Sequence, residues 1–278
     1  MHWIIQKGFE NDYAVRDLID SLERLDVQYS MVQVYPFAGD IHQPDAVLIE
    51  RDVDLNNVML YGSITLTKIG LARGWSPGIF TNENFNYKTV SENWHRMVLN
   101  NDCIFTDFVH GGIEAYKISN SGRDKFFVRP MLDDKSFSGQ IMSFQEFSEW
   151  SNKIWNLEAS GEFTSIPVGT EIVLSKLKPI ESEYRFIIVD DKIVTGSQYK
   201  LGDNVRHSRE IDREVLSFAS ACVSRISIDY WSPARAYMLD ICMSDGKPRV
   251  LEIGGINSCG LYACDTRKFV MAIENMRF

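Results

Sequence analysis

The chain has 278 residues, 45% hydrophobic and 24% charged, which suits one large or two ordinary domains and excludes disordered, collagen-like and small disulfide-scaffold proteins. Its net charge of −9, from 38 acidic against 29 basic residues with no run of five basic residues, argues against a long nucleic acid held by phosphate neutralisation. Cys103, Cys222, Cys242, Cys259 and Cys264 form no C-x-x-C pair, no stretch of eighteen apolar residues occurs, and the N-terminus lacks a basic segment followed by an apolar run; these features predict a cytoplasmic protein without a membrane span.

The opening reads strand, helix, strand. His2 to Gln6 is an apolar run, Tyr13 to Leu25 places Val15, Leu18, Ile19, Leu22 and Leu25 at helical spacing, and Tyr29 to Val34 returns to a period near two. Short apolar runs at Ala46 to Ile49, Val58 to Tyr61 and Gly78 to Phe80, with a helix around Leu66 to Ala72, complete a small α/β unit with a mainly parallel sheet. From Asn84 to Ala115 the pattern predicts a helix at Ser91 to Leu99 and a strand at Cys103 to Phe108.

A second unit starts at Lys125 to Pro130, an apolar strand closed by proline. Ser143, with Glu146 three residues on, predicts a capping box and a helix. Strands follow at Glu171 to Leu177 and Tyr184 to Val189, then an Asp190-Asp191 turn into Lys192 to Gln198, a polar loop from Lys200 to Ser208 and an amphipathic helix from Arg209 to about Arg225. Strands at Ala236 to Met243 and Arg249 to Ile253 flank Asp245-Gly246-Lys247, and a last helix runs from about Thr266 to Asn275. The P-loop, the dinucleotide G-x-G-x-x-G, H-E-x-x-H and G-x-S-x-G are all absent, which leaves no sequence signal for those chemistries.

The last hairpin carries the most chemistry. Asp240 and Glu252 interrupt runs that are otherwise apolar on both faces. With a three-residue loop at Asp245-Gly246-Lys247, Asp240 lies directly across from Glu252, and opposed side chains point to one face about 5 Å apart. Two such carboxylates repel unless a cation sits between them. With Asn257 as a neutral oxygen donor they form a hard ligand set suited to Mg²⁺. The bland alternative is an acid pair facing solvent or bonded to Arg235 or Arg249, and a one-residue change of loop length would put the two acids on opposite faces.

The cations are less specific. Arg129, at the end of Phe127-Val128-Arg129-Pro130, is placed to grip phosphate oxygens, with a Ser/Gly loop after it; the alternative is a surface arginine beside a turn. Glu183 and Arg185 share one strand face, as an exposed edge pair also would. Lys200 and Arg206 add two cations near a loop.

The order of these features resembles the ATP-grasp superfamily: strand-Arg-Pro with Asp-Asp-Lys-Ser-Phe-Ser-Gly, Glu-Tyr-Arg-Phe before a hairpin ending Gly-Ser-Gln-Tyr, then Leu-Asp and Leu-Glu on successive strands with Asn-Ser-Cys-Gly-Leu-Tyr. It is most similar to the bacterial and phage clade named for two arginines and one lysine. The motifs span roughly residues 125 to 265. The resemblance implies an α/β (α+β) fold: two lobes clasping ATP, preceded by a small Rossmann-like domain. It places the pre-ATP-grasp domain at 1–100 and the ATP-grasp domain at 101–278, with the small lobe at about 115–170 and the large lobe at about 171–278. By position, Arg129 stands where most members have a phosphate-binding lysine, and Lys135 lies in the flexible phosphate cover. Glu171, Ile172, Val173 and Leu174 lie where the hinge pairs its backbone with adenine, and Glu183 where ribose is bound. Arg185, Lys200 and Arg206 would face phosphate or acceptor. Asp240, Glu252 and Asn257 match the magnesium ligands, with Gly254 standing where many members carry asparagine.

The implied chemistry is an ATP- and Mg²⁺-dependent ligase that joins the carboxylate of a small molecule, amino acid or peptide to an amine or thiol through an acylphosphate, releasing ADP and phosphate. A phosphotransferase on the same scaffold and a nucleotide- or peptide-binding module without turnover are the alternatives.

Overall fold

A computed structural model of the chain describes residues 1–35, 47–48, 53–81, 84–133, 136–162, 164, 166–229 and 231–278, the side chains of 47–48 and 225–229 excepted. It has two compact units: Met1–Asn82 with Glu181–Phe278, and Glu83–Ile180.

The first unit begins with β1 (His2–Gln6), α1 (Tyr13–Arg24), β2 (Tyr29–Val34), β3 (Val47–Leu48), β4 (Val58–Tyr61), α2 (Ile64–Ala72) and β5 (Pro77–Gly78). The strands lie in the order β3-β2-β1-β4-β5, parallel except for β3 against β2. Central parallel strands are covered on both faces, which is why β1 and β4 read as unbroken apolar runs. Ile4, Val58 and Leu60 pack with Leu66 and Ile69 of α2. Trp3, Ile5, Met59 and Tyr61 pack on the other side with Val15, Leu18 and Leu22 of α1. Asp12 caps α1 through Ala14 N, and Ser63 caps α2 through Leu66 N.

The second unit contains α3 (Tyr87–Trp94), β6 (Ile104–Asp107), α4 (Gly111–Ile118), β7 (Phe126–Pro130), β8 (Gln140–Met142), α5 (Phe144–Ala159) and β9 (Glu171–Lys176). Its antiparallel sheet runs β6-β9-β7-β8. Phe126, Val128, Ile172 and Leu174 bury one sheet face against Ala115 and Ile118 of α4 and Phe147 and Ile154 of α5. The expected Ser143–Glu146 capping box opens α5. Helix α3 starts four residues before the predicted Ser91, because Asn86 accepts hydrogen bonds from Lys88 N and Thr89 N, and it ends at Trp94, where His95 turns to φ 43°.

The chain then returns to the first unit with β10 (Ser182–Val189), β11 (Lys192–Leu201), β12 (Asn204–Ser208), α6 (Arg213–Asp229), β13 (Ala236–Ser244), β14 (Lys247–Gly254) and α7 (Thr266–Glu274). The antiparallel sheet is ordered β12-β11-β10-β13-β14. One face sends Ile187, Val189 and Met238 into the core shared with Trp3, Ile5 and Phe269, and α6 packs on β11, β13 and β14. Residues 200–208, read as a polar loop, form the β11–β12 hairpin instead; Val205 and His207 are exposed there, so no apolar alternation marked the edge strand. Helix α6 starts at Arg213 and not Arg209, whose guanidinium donates to Ala263 O at 2.9 Å. Among the described residues no helix is long and apolar enough to cross a membrane.

Candidate functional site

Two lines of side chains cross the β10–β14 sheet on one face. Backbone pairing sets Ser197 opposite Arg185, Arg185 opposite Asp240, and Asp240 opposite Glu252. Two residues along β10, Lys200 is opposite Glu183, Glu183 opposite Cys242, and Cys242 opposite Arg249. Opposed residues share a face, so two acids and an arginine stand in one row and two cations flank an acid in the next. Farther along β10 the same face becomes Ile187 and Val189, which are buried, and the polar rows sit at the edge of the core.

Asp240 does oppose Glu252, for a different reason than the sequence suggested. The turn has two residues, Asp245 at φ 50° and Gly246 at φ 65°, with Ser244 opposite Lys247. That left-handed pair is the tight hairpin geometry that Asp-Gly favours. Alone it would shift Asp240 by one residue; a bulge at Leu251 restores the register.

Arg185 holds Asp240 with two bonds, Nε to Oδ1 at 2.8 Å and Nη2 to Oδ2 at 2.7 Å, and donates Nη1 to Gly260 O at 3.0 Å. Burial raises the Asp240 carboxyl above the usual carboxylate range, with Arg185 opposing the rise and Glu252 adding to it. Both oxygens accept guanidinium N–H groups, the arrangement of an ionised carboxylate. Burial acts to lower the Arg185 value, and Asp240 outweighs it, so the guanidinium stays charged.

Alternation along β11 puts Ser197 on the site face and Gln198 on the other, so it predicts Tyr199 and Lys200 on opposite faces. A bulge between Gln198 and Lys200 brings both to the face of Glu183. Lys200 Nζ lies 2.9 Å from Glu183 Oε1, and the Tyr199 hydroxyl lies 2.7 Å from Glu183 Oε2 and 3.2 Å from Asp240 Oδ2. Burial, then the charges of Asp240 and Glu183, push the Tyr199 hydroxyl far up, so it is a neutral donor. Its ring stacks on Tyr262 at 4.7 Å and 16°, and the His207 ring is 5.2 Å from Tyr262.

Other expected residues lie elsewhere. Asn257 does not join the acids: its Nδ2 donates to Leu60 O at 2.7 Å and Gly78 O at 2.8 Å, and its Oδ1 accepts from Phe80 N at 2.7 Å, so the whole amide stitches β4 and β5 to the turn after β14. Arg206 is opposite-facing. Its neighbours Val205 and His207 lie on the site face, and its charge acts on Tyr184, which alternation turns toward α6 and whose hydroxyl bonds Asp212 at 2.7 Å. The adenine-hinge assignment of Glu171, Ile172, Val173 and Leu174 is also corrected. These residues pair with β6 on one side, and from Ile172 on they pair with β7 on the other, while Glu171 O accepts from Met131 N, so no backbone edge is left for a base.

In the second unit, Arg129 is half-buried on the sheet face away from that unit's core, with Cζ 4.9 Å from the centre of the Tyr87 ring. Burial raises the Tyr87 hydroxyl, and Arg129 acts against the rise. Lys135 lies outside the described residues. Tyr199 and Tyr262 end two of the family motifs and Arg249 enters the sequence reading only as a bonding alternative for the acids; the sequence assigns none of them a site role, and only pairing reveals the bulge beside Tyr199.

Magnesium is commonly held by one or two carboxylates together with phosphate oxygens and water. Asp240 and Glu252 fit that role, since Asp240 Oδ1 keeps acceptor capacity beside its Arg185 bond, while Oδ2 also meets the Tyr199 hydroxyl. Asn257 does not fit. Among the described residues no group of three or more His, Cys, Asp or Glu side chains is placed to hold a metal.

The family model for the ATP-grasp domain of the two-arginine, one-lysine clade, family 2, matches residues 109–272. Among solved structures, the chain is similar to the D-cycloserine synthetase DcsG (13% identity, 98% of each chain, TM-score 0.60). It is also similar to the D-alanine–D-alanine ligase from Bacillus anthracis complexed with ATP (12% identity, 99% of this chain and 96% of that one, TM-score 0.58). A third is the ATP-grasp ligase PsnB complexed with precursor peptide PsnA2 and AMPPNP (11% identity, 98% of this chain and 91% of that one, TM-score 0.50). No curated protein matches the sequence. At these identities the structures establish the ATP-grasp fold, and the family match over more than half of the chain makes this protein a member of family 2 of the ATP-grasp clade named for two arginines and one lysine.

Proposed function

We propose that this protein is an ATP- and Mg²⁺-dependent ligase that joins a carboxylate to an amine or thiol. The observation that carries this reading is the row Arg185–Asp240–Glu252, two carboxylates side by side with one fixed by an arginine, beside Lys200 and Glu183. Similarity to a D-alanine–D-alanine ligase complexed with ATP and to a ligase complexed with a precursor peptide supports both the reaction class and a small-molecule or peptide substrate.

In this reading the substrate carboxylate attacks the γ-phosphorus of ATP, the bond to the β-phosphate oxygen breaks, and ADP leaves. The amine or thiol then attacks the acyl carbon of the acylphosphate, phosphate departs, and the nucleophile's proton passes to solvent. Bound Mg²⁺ would neutralise phosphate charge, and Asp240 and Glu252 are the residues that would hold it. In this reading Lys200 would leave Glu183 to pair with phosphate and Glu183 would accept from ribose hydroxyls, while a phosphate-binding role for Arg129 is what the family resemblance implies. Arg185 keeps Asp240 ionised and fixed. The protein's contribution is positioning and charge stabilisation.

The test is incubation with ATP, Mg²⁺ and pooled amino acids and peptides, read by mass spectrometry and ADP release. A condensation product with ADP, abolished by Glu252→Gln, is the expected result. A product one phosphoryl group heavier would move the reading to a phosphotransferase, and nucleotide binding without ADP release to a binding module.

A further inference from the structure

Tyr262 has φ 50°, a left-handed conformation that is strained for a bulky non-glycine residue and persists where the surroundings enforce it. The turn that carries it is fastened at five points that do not involve its ring. Cys259 O accepts from Tyr61 Oη at 2.6 Å, Gly260 O accepts from Arg185, Ala263 N donates to Ser197 Oγ at 3.2 Å, Ala263 O accepts from Arg209, and Asp265 N donates to Thr195 Oγ1 at 2.7 Å. The path of the chain is therefore set without the tyrosine side chain, and glycine would hold that path with less strain.

The ring covers Arg185. Its centre is 5.0 Å from Arg185 Cζ, Tyr199 is 5.5 Å from the same atom, and the two rings stack on each other. It also folds over Gly260, where a Cβ would come within 3.2 Å of the Tyr262 ring. Arg185 is in turn the group that holds both oxygens of Asp240.

We propose that Tyr262 is a positioning residue: its ring pins the Arg185 guanidinium, and through it the Asp240 carboxylate, in line with Glu252 for the Mg²⁺ of a bound nucleotide. This rests on the ligase reading of the site. Groups that orient a metal ligand from behind commonly change metal affinity tenfold or more when removed. The backbone strain at Tyr262 is then the cost of placing that ring.

The experiment compares ADP binding by calorimetry, with Mg²⁺ and with a chelator, in the wild type, Tyr262→Gly and Tyr262→Phe, together with thermal melts. Tyr262→Gly relieves the left-handed strain but loses the stack, so it should melt within about 5 °C of the wild type and lose about tenfold of the Mg²⁺-dependent gain in ADP affinity. Tyr262→Phe, which keeps the ring, should match the wild type in both. Gly260→Ala, whose Cβ would crowd the ring and shift it by a few tenths of an ångström while leaving residue 262 unchanged, should lose part of the same gain and covers the case in which Tyr262→Gly fails to fold. A Tyr262→Gly protein that keeps the full Mg²⁺-dependent gain overturns the inference alone, as does an equal loss in Tyr262→Phe, which keeps the ring. A wild type that binds no ADP with Mg²⁺ overturns the ligase reading and the inference with it.

Discussion

Arg185 and Asp240 face each other across β10 and β13 in a two-pronged ion pair, with the arginine 7% and the aspartate 1% exposed. Such a pair adds little net stability relative to apolar residues, but removing one partner strands the other charge. Asp240→Asn should therefore destabilise the fold by about 3–5 kcal/mol, as measured by denaturant unfolding. Glu252 is only half-buried, so Glu252→Gln should leave the unfolding free energy within about 1 kcal/mol of wild type while weakening Mg²⁺-dependent ADP binding about tenfold or more. Equal loss of stability in both variants would contradict the different roles assigned to the two acids.

Tyr199→Phe removes one hydroxyl and keeps the stack on Tyr262. Losing a bond to an ionised acid costs about 1.5–3 kcal/mol, so stability should fall by that amount. Glu183 would then keep Lys200 as its partner, and ADP affinity should change less than in Glu183→Gln. Calorimetry on the two variants checks this.

Asn257→Ala should behave as a structural variant. It leaves Phe80 N, Leu60 O and Gly78 O without their side-chain partner at a buried position, a loss of about 2–4 kcal/mol in unfolding free energy. The folded fraction should bind Mg²⁺ and ADP as the wild type does. A selective loss of Mg²⁺ dependence with unchanged stability would restore Asn257 to the ligand set.

The thiols give a pH test. Burial pushes Cys103 up to about 11, and Cys242 and Cys264 to about 12, from 9.0. Their folded values are raised, so the stability they contribute is complete below about pH 9 and is lost as pH rises toward 11 and 12, where the unfolded chain has already released the protons. Unfolding free energy measured from pH 8 to 10.5 should fall, and Cys264→Ala should flatten the slope. At pH 8 the native Cys103 thiol should react with iodoacetamide about a hundredfold more slowly than free cysteine.

Much of the fold was legible because local chemistry repeats itself. The 3.6-residue spacing of Val15, Leu18 and Leu22, the unbroken apolar runs of β1 and β4, and the Ser143–Glu146 box each signal an element through neighbouring residues alone. The β11–β12 hairpin was not legible, since an exposed edge strand needs no apolar alternation. The start of α3 was missed because its cap, Asn86, lies before the periodic residues.

The sequence by itself determined the family resemblance and singled out Asp240 and Glu252, since acids in apolar strands stand out; their pairing rests on a two-residue turn and a bulge at Leu251 that only the structure shows. Tertiary structure alone decided what those acids meet. Arg185 reaches Asp240 from 55 residues away, a bulge turns Lys200 onto the face of Tyr199, Asn257 spends its amide on strands about 180 residues earlier, and Tyr262 closes over the arginine. Register, bulges and long-range hydrogen bonds are set by how whole strands pack, so one-residue shifts that reverse a side chain's face leave no trace in composition or spacing.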